Sequence, residues 1–274
     1  MLEKVLITGD THSQVAQRLF YIKHNMPEYD PEKTAVIVLG DLGLNYYLDK
    51  KDCLHKKEAS AYGYTIYAVR GNHEARASEK LGMRLQYDTF VNGAVWVEDD
   101  FPLIRYFADW GIYNILGNRT LVIGGAYSVD KYYRLERNWA WFENEQLTKW
   151  EMDACYRNAI EYPYFDLVLT HTCPRSVQPT DLFLGCIDQS KVDSTMEIWM
   201  DTLKEKLNYG AWLWGHYHGD RIERPRMEMF YYEVEDLNTI KSRWEQYGKT
   251  GELDWWLPKS PNFYMEVKNE DEKF

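Results

Sequence analysis

Asp10 and His12, Asp41, Asn72 and the adjoining His73, His171, and the pair His216 and His218 are the residues of this chain best suited to chemistry. They stand in five short motifs, Gly9-Asp10-Thr11-His12, Gly40-Asp41, Gly71-Asn72-His73-Glu74, Thr170-His171 and Gly215-His216-Tyr217-His218. Carboxylate, imidazole and amide donors gathered at one place suit two closely spaced divalent cations and an anionic substrate. Singly, each motif is weak: an Asp-x-His triplet or a Gly-Asp turn is common. The chemistry needs all five to meet in space.

The segments before the motifs can bring that about. Val5-Leu6-Ile7, Ala35-Val36-Ile37-Val38-Leu39, Thr65-Ile66-Tyr67-Ala68-Val69 and Leu167-Val168-Leu169 are apolar, strand-like runs, and each leads directly into one of the first four motifs. Ala211-Trp212-Leu213-Trp214 leads into the last. Side chains at the strand exits of an open parallel sheet converge on the crevice where such folds bind ligands. Between the first strands, residues 14–24 carry Val15, Leu19 and Ile22 at helical spacing, and residues 46–62 form a charged, helix-compatible stretch. This repeated unit predicts parallel pairing. Further on, residues 94–97, 112–116 and 120–123 read as short strands, with a tight hairpin at Gly117-Asn118. Residues 143–160 and 194–207 read as helices, the second with Ser194 as N-cap and Glu197 completing a capping box. Residues 229–234 read as one more strand.

With 274 residues, 45% of them hydrophobic, the chain can bury a full core, and neither a linker nor a repeat interrupts it. Residues 1–240 are expected to form one domain, with 241–274 as a C-terminal extension packed on it through Trp255, Trp256 and Phe263. The net charge of −11 disfavours long nucleic acids and anionic membranes, yet leaves room for a small phosphorylated substrate, because bound cations dominate the local potential. No apolar run approaches bilayer length, and the N-terminus enters a strand at once without a secretory pattern. Cys53, Cys155, Cys173 and Cys186 lack paired spacing and read as reduced thiols, so a cytoplasmic location is expected. The 11 Trp and 22 Tyr serve packing for the most part, or line a pocket beside the chemistry.

In this order, the motifs resemble the calcineurin-like metallophosphoesterase superfamily, whose pattern is Asp-x-His, Gly-Asp, Gly-Asn-His-(Glu/Asp), a lone His and Gly-His-x-His. The resemblance runs from residue 5 to about residue 234. It implies an α/β fold: a two-sheet β sandwich flanked by helices, layered α/β/β/α. It also implies a dinuclear metal-dependent hydrolase of phosphate monoesters or diesters, acting by attack of a metal-bridging hydroxide on phosphorus. Asp10, His12, Asp41 and His218 would hold one ion, and Asp41, Asn72, His171 and His216 the other, with Asp41 as bridge. His73 would be no ligand but an acid close to the leaving oxygen. A donor set without thiolate favours Mn or Fe, with Zn or Ni as alternatives.

The chain also departs from the phosphoprotein phosphatases of that superfamily. Gly40-Asp41-Leu42-Gly43-Leu44-Asn45-Tyr46 lacks the Asp and Arg of their Gly-Asp-x-x-Asp-Arg-Gly, and the lone His lies in His171-Thr172-Cys173-Pro174 rather than His-Gly-Gly. The phosphodiesterase-like branch fits better than a Ser/Thr protein phosphatase. Another partner must then orient His73, with Glu74 and Asp109 as candidates, and another group must meet the phosphoryl oxygens. Lys131, Arg134, Arg137 and Arg175 are candidates for the latter; Arg134 is the first choice, with Tyr132 stacking on a nucleotide-like substrate. A nuclease of the same superfamily and a noncatalytic metal-binding scaffold are the rival readings.

Overall fold

The computed structural model describes residues 1–252. The first apolar runs become strands separated by helices: β1 (Lys4–Thr8), α1 (Val15–Asn25), β2 (Thr34–Val38), α2 (Lys50–Ser60) and β3 (Thr65–Ala68). These three strands pair in parallel, Val5 opposite Ala35 and Ala35 opposite Thr65. Then come β4 (Met83–Asp88), β5 (Gly93–Glu98), β6 (Ile104–Phe107), β7 (Trp110–Ile115) and β8 (Asn118–Ile123). After α3 (Lys131–Glu136) and α4 (Lys149–Ala159), β9 (Phe165–Thr170), α5 (Thr195–Lys206) and β10 (Tyr209–Trp214) follow. The described chain closes with β11 (Arg221–Arg224), β12 (Met227–Met229), β13 (Val234–Asp236) and α6 (Leu237–Thr250).

Two sheets result, ordered β13-β1-β2-β3-β6-β5-β4 and β11-β12-β10-β9-β8-β7. The period-two alternation of side chains explains how they stack. Val5, Ile7, Ile37 and Tyr67 share one core with Leu167, Leu169 and Leu213 of the second sheet. Their neighbours Leu6, Val36, Val38 and Ile66 pack instead on Val15, Leu19 and Ile22 of α1 and Ala59 of α2. On the far face, Val168, Trp212 and Trp214 meet Met152 and Cys155 of α4 and Met196 and Met200 of α5. The order helix, sheet, sheet, helix is the flanked two-sheet sandwich, and strands buried on both faces explain why the runs read as continuously apolar. Leu237, Ile240 and Trp244 of α6 reach the inter-sheet core, so this helix continues across residue 240. Trp255, Trp256 and Phe263 lie outside the described residues.

Three local expectations change. The hairpin turns at Leu116-Gly117, one residue earlier than expected, because Ile115 pairs with Asn118 and both turn residues adopt positive φ, 51° and 82°. The run 229–234 is not one strand: it breaks between β12 and β13, which belong to different sheets. There the Asp220 carboxylate accepts hydrogen bonds from the backbone N–H groups of Tyr231, Tyr232 and Glu233 at 2.6, 3.0 and 3.0 Å, replacing a strand partner. Ser194 does stand at the N-cap of α5, but its side chain does not cap. Asp193 accepts from Thr195 N instead, and Glu197 turns inward to accept from Thr172 Oγ1 at 2.9 Å. The capping box occurs at α4, between Thr148 and Glu151.

Candidate metal centre

All five motifs follow the C-terminal ends of strands, β1, β2 and β3 in one sheet and β9 and β10 in the other. The fold brings their donors together. Asp10, His12 and His218 offer ligand atoms within 4.8 Å of one another, as do Asp10, Asp41 and His171, and also His12, Asp41 and His73. His12 Nε2 and His218 Nε2 are 2.9 Å apart. His171 Nε2 lies 2.8 Å from Asn72 Oδ1 and 3.6 Å from Asp41 Oδ1, and the His216 ring meets the His171 ring edge-on at 4.9 Å.

The donor set fits cations. His171 Nδ1 donates to the Leu39 carbonyl at 2.8 Å, which turns Nε2 toward the other potential ligands. Asn72 Nδ2 donates to Ser128 Oγ at 2.8 Å, which leaves the acceptor Oδ1 facing His171 Nε2. Two potential ligand atoms at this distance match the spacing of adjacent ligands on one ion, whose bonds of about 2.1 Å set them about 3 Å apart. The protonation states agree. Burial at the cleft floor lowers the imidazoles of His12 to about 4 and of His216 to about 3. Burial pushes the Asp10 and Asp41 carboxyls up, but the surrounding imidazoles outweigh it, His171 foremost for Asp10 and His73 for Asp41, and both end below their ordinary value. Ionised carboxylates beside neutral imidazoles are what a divalent ion requires.

The backbone is bent to achieve this. His12, Asp41, His216 and His218 take φ of 43°, 45°, 69° and 53°, a region costly to L residues and frequent at functional sites. Cross-links then fix the loops. His216 N donates to Asp10 Oδ1 at 2.9 Å across the two sheets, and His73 N donates to Asp41 Oδ1 at 2.8 Å. A Cβ on Gly71 would overlap the Asp41 carboxylate, and one on Gly215 would overlap Asp10 Oδ1, so these motif glycines are required by close approach.

Asn72 has a support that its motif does not reveal. Ser128 Oγ, which accepts from Asn72, donates to Glu145 Oε2 at 2.5 Å, while Ser128 N and Trp141 Nε1 donate to the same carboxylate at 3.0 and 2.9 Å. This chain fixes which end of the amide faces the other donors. Ser128→Ala is therefore expected to weaken metal binding by about 10–100-fold. The loss should largely vanish when position 72 is Asp, whose two oxygens need no orientation. Equal losses in both backgrounds, measured by metal titration, would mean that Ser128 supports the fold alone.

His73 lies between the donors and the cleft. Its Nδ1 is 3.6 Å from Asp41 Oδ2, and its Nε2 is 3.7 Å from Asp130 Oδ1. Glu74 and Asp109, the expected orienting candidates, are engaged elsewhere. Glu74 accepts from Gly71 N at 2.9 Å, with burial raising its carboxyl to about 8, and Asp109 is paired with Arg70 and Arg76. Asp130 takes the place beside His73. Its four-residue spacing from Arg134 on a helix was the available sequence signal; Arg134 Nε donates to Asp130 Oδ2 at 2.7 Å. Burial pushes the Asp130 carboxyl up, and His73 and Arg134 outweigh it, leaving it below its ordinary value.

Arg134 is buried, with Nη1 donating to Tyr46 OH at 2.9 Å and Nη2 within 3.0 Å of both ring nitrogens of His73. Tyr132 is exposed on the wall of a cleft of about 900 Å³ that Asp10, His12, His73, Arg134 and His218 also line. Lys131 sits over the Trp141 ring, Arg137 over Tyr133, and Arg175 donates to Ser194. Tyr231, unanticipated, stacks on His218 with centroids 4.5 Å apart. The cysteines are free thiols, Cys155 and Cys173 buried. Among the described residues no helix is long and apolar enough to cross a membrane.

A sandwich with Asp, His and Asn donors at the exits of both sheets defines a metallophosphoesterase architecture. The chain matches the calcineurin-like phosphoesterase family over residues 3–220 and belongs to it. Membership supports a hydrolase that acts on phosphoesters, and the clustered Asp and His groups fit the divalent metals typical of the family. No curated protein matches the chain. Similar solved structures include the protein TT1561 of Thermus thermophilus, 14% identical over 86% of this chain and 98% of that one, TM-score 0.44. Another is phosphopantetheinyl hydrolase from Mycobacterium tuberculosis, 14% identical over 94% of this chain and 96% of that one, TM-score 0.39. A third is a 5′-nucleotidase precursor, also from Thermus thermophilus, 14% identical over 81% of this chain and 43% of that one, TM-score 0.37.

Proposed function

We propose that this protein is a dinuclear metal-dependent hydrolase of phosphate monoesters or diesters, acting on a small or nucleotide-like substrate. The observation that carries the reading is the convergence of potential ligand atoms from both sheets, with His171 Nε2 and Asn72 Oδ1 2.8 Å apart beside the Asp10, Asp41 and His171 group. Asp10, His12, Asp41 and His218 would hold one ion, and Asp41, Asn72, His171 and His216 the other; Mn²⁺ or Fe²⁺ suits the set first, Zn²⁺ or Ni²⁺ next. When bound, such a pair supplies Lewis-acid polarisation of the phosphoryl oxygens and a hydroxide at neutral pH.

The chain's own residues do the rest. The Asp41 carboxylate, fixed by His73 N, offers its two oxygens to both donor groups. His73, with Nε2 3.7 Å from Asp130 Oδ1, would serve as the acid that protonates the departing oxygen. Arg134 is built into the wall, where Nη2, 3.0 Å from His73 Nδ1, fixes the His73 ring, and Tyr132 supplies a ring face for the substrate. Free thiols support a cytoplasmic location.

The test is hydrolysis of p-nitrophenyl phosphate and bis-p-nitrophenyl phosphate. We expect turnover that disappears on chelation and returns with Mn²⁺. Protein with two bound metals per chain that hydrolyses neither ester would instead be a binding scaffold.

A further inference from the structure

We infer that the substrate carries a single phosphoryl group on a bulky, uncharged, ring-bearing alcohol. This rests on the phosphoesterase reading and concerns what fills the cleft beyond the reacting phosphorus.

The cleft, about 900 Å³, is much larger than a phosphoryl group needs and is of a size to enclose a drug-sized molecule. Beyond the metal donors, and beside polar groups such as Gln14 and Gln17, its lining includes Tyr127, Tyr132 and Trp139 from one segment and Leu184, Ile187 and Val192 from another. Tyr132 is 70% exposed, Leu184 51% and Trp139 45%. Large apolar side chains grouped around a polar floor are characteristic of a binding surface, and flat rings offer faces on which another ring can stack.

The cations of the cleft point the same way. Arg18, Arg134 and Lys191 line it. Arg18 donates to Thr8 Oγ1 and to the Tyr231 carbonyl, Arg134 is paired with Asp130, and Lys191 is 3.4 Å from Asp188. Among the described lining residues no buried Lys or Arg is left uncommitted for a second phosphate, and the exposed Lys191 shares the rim with Asp188. Such a group would also meet the Asp130 and Asp188 carboxylates, both on the lining. The first phosphoryl is served by the metal donors; a second would lose its water without gaining a partner.

Non-hydrolysable phosphonates test this without regard to monoester or diester preference. 2-Phenylethylphosphonate, n-propylphosphonate and propane-1,3-diyl bisphosphonate would compete against turnover of a p-nitrophenyl ester. We expect the phenylethyl compound to bind at least about tenfold more tightly than the propyl one, in line with the loss seen when stacking rings are removed. The bisphosphonate should bind no more tightly than the propyl compound. Tyr132→Ala, at an exposed position that the fold does not need, should reduce the phenylethyl advantage to less than about threefold. Equal inhibition by the phenylethyl and propyl compounds overturns the inference. So does tightest binding by the bisphosphonate, or a phenylethyl advantage that survives both Tyr132→Ala and Leu184→Ala. In those cases the phosphoesterase reading stands; absence of p-nitrophenyl turnover overturns both.

Discussion

Asp41→Asn is expected to lower phosphoester turnover by at least about 10³-fold, on the order of 4 kcal/mol of transition-state stabilisation, while leaving the fold intact. The substitution preserves shape, and the new amide oxygen can still accept the hydrogen bond from His73 N. What changes is the second oxygen. In the native chain Asp41 Oδ2 is 3.9 Å from His12 Nδ1 and 3.6 Å from His73 Nδ1, while Oδ1 is 3.6 Å from His171 Nε2. The carboxylate thus places a negative charge between the His12 side and the His171 side. Asparagine puts an NH₂ where the shared acceptor was, so metal content should fall from two ions to one or fewer. Elemental analysis alongside kcat/KM checks this, and native turnover with both ions retained would rule out a bridging role. Metal-free protein gives a control, because the imidazoles that hold the Asp41 carboxyl below its ordinary value lose that partner in the amide. The metal-free variant should therefore melt somewhat lower than the metal-free native chain at neutral pH, and the difference should shrink as acid protonates Asp41.

His73→Ala should produce the second large effect, and a selective one. For alkyl esters, whose alkoxide must be protonated as it leaves, turnover is expected to fall by about 10²–10⁴-fold. For p-nitrophenyl esters, whose leaving group departs as an anion, the loss should be under about tenfold. Both expectations follow from the position of Nε2 beside Asp130 and facing the cleft. The geometry also makes the alternative testable, since His12, Asp41 and His73 form a potential donor group of their own. If His73 were a ligand, alanine would strip metal and depress all esters alike. Full metal occupancy with a steep dependence on leaving-group basicity is the result expected of an acid.

The donors were legible in the sequence because each is placed by a short-range device, an apolar strand ended by a turn, in most cases glycine-bearing. That reading needs no knowledge of which strands are neighbours. The partners of the donors were less visible. Ser128, Asp130 and Glu145 act across 56, 57 and 17 positions from Asn72, His73 and Ser128 respectively, and sequence distance hides such contacts. β4 escaped notice for another reason. Met83–Asp88 forms a sheet edge with Arg84, Leu85 and Tyr87 exposed, so no buried face imposes alternation on it. The four residues of β6 are too few to show a period. Residues 229–234 looked like one strand because apolar aromatic residues there serve a turn organised by a distant carboxylate, Asp220.

The left-handed backbone at His12, Asp41, His216 and His218 sets evolution and engineering at odds. At about 1 kcal/mol each, such residues withhold roughly 4 kcal/mol from a fold whose net stability is of order 5–15 kcal/mol. Alanine keeps the Cβ and leaves the strain in place; glycine removes it. Selection for heat resistance without a screen for activity would therefore drift toward glycine at these four positions, and the most durable descendants of this chain would be those that had lost their chemistry.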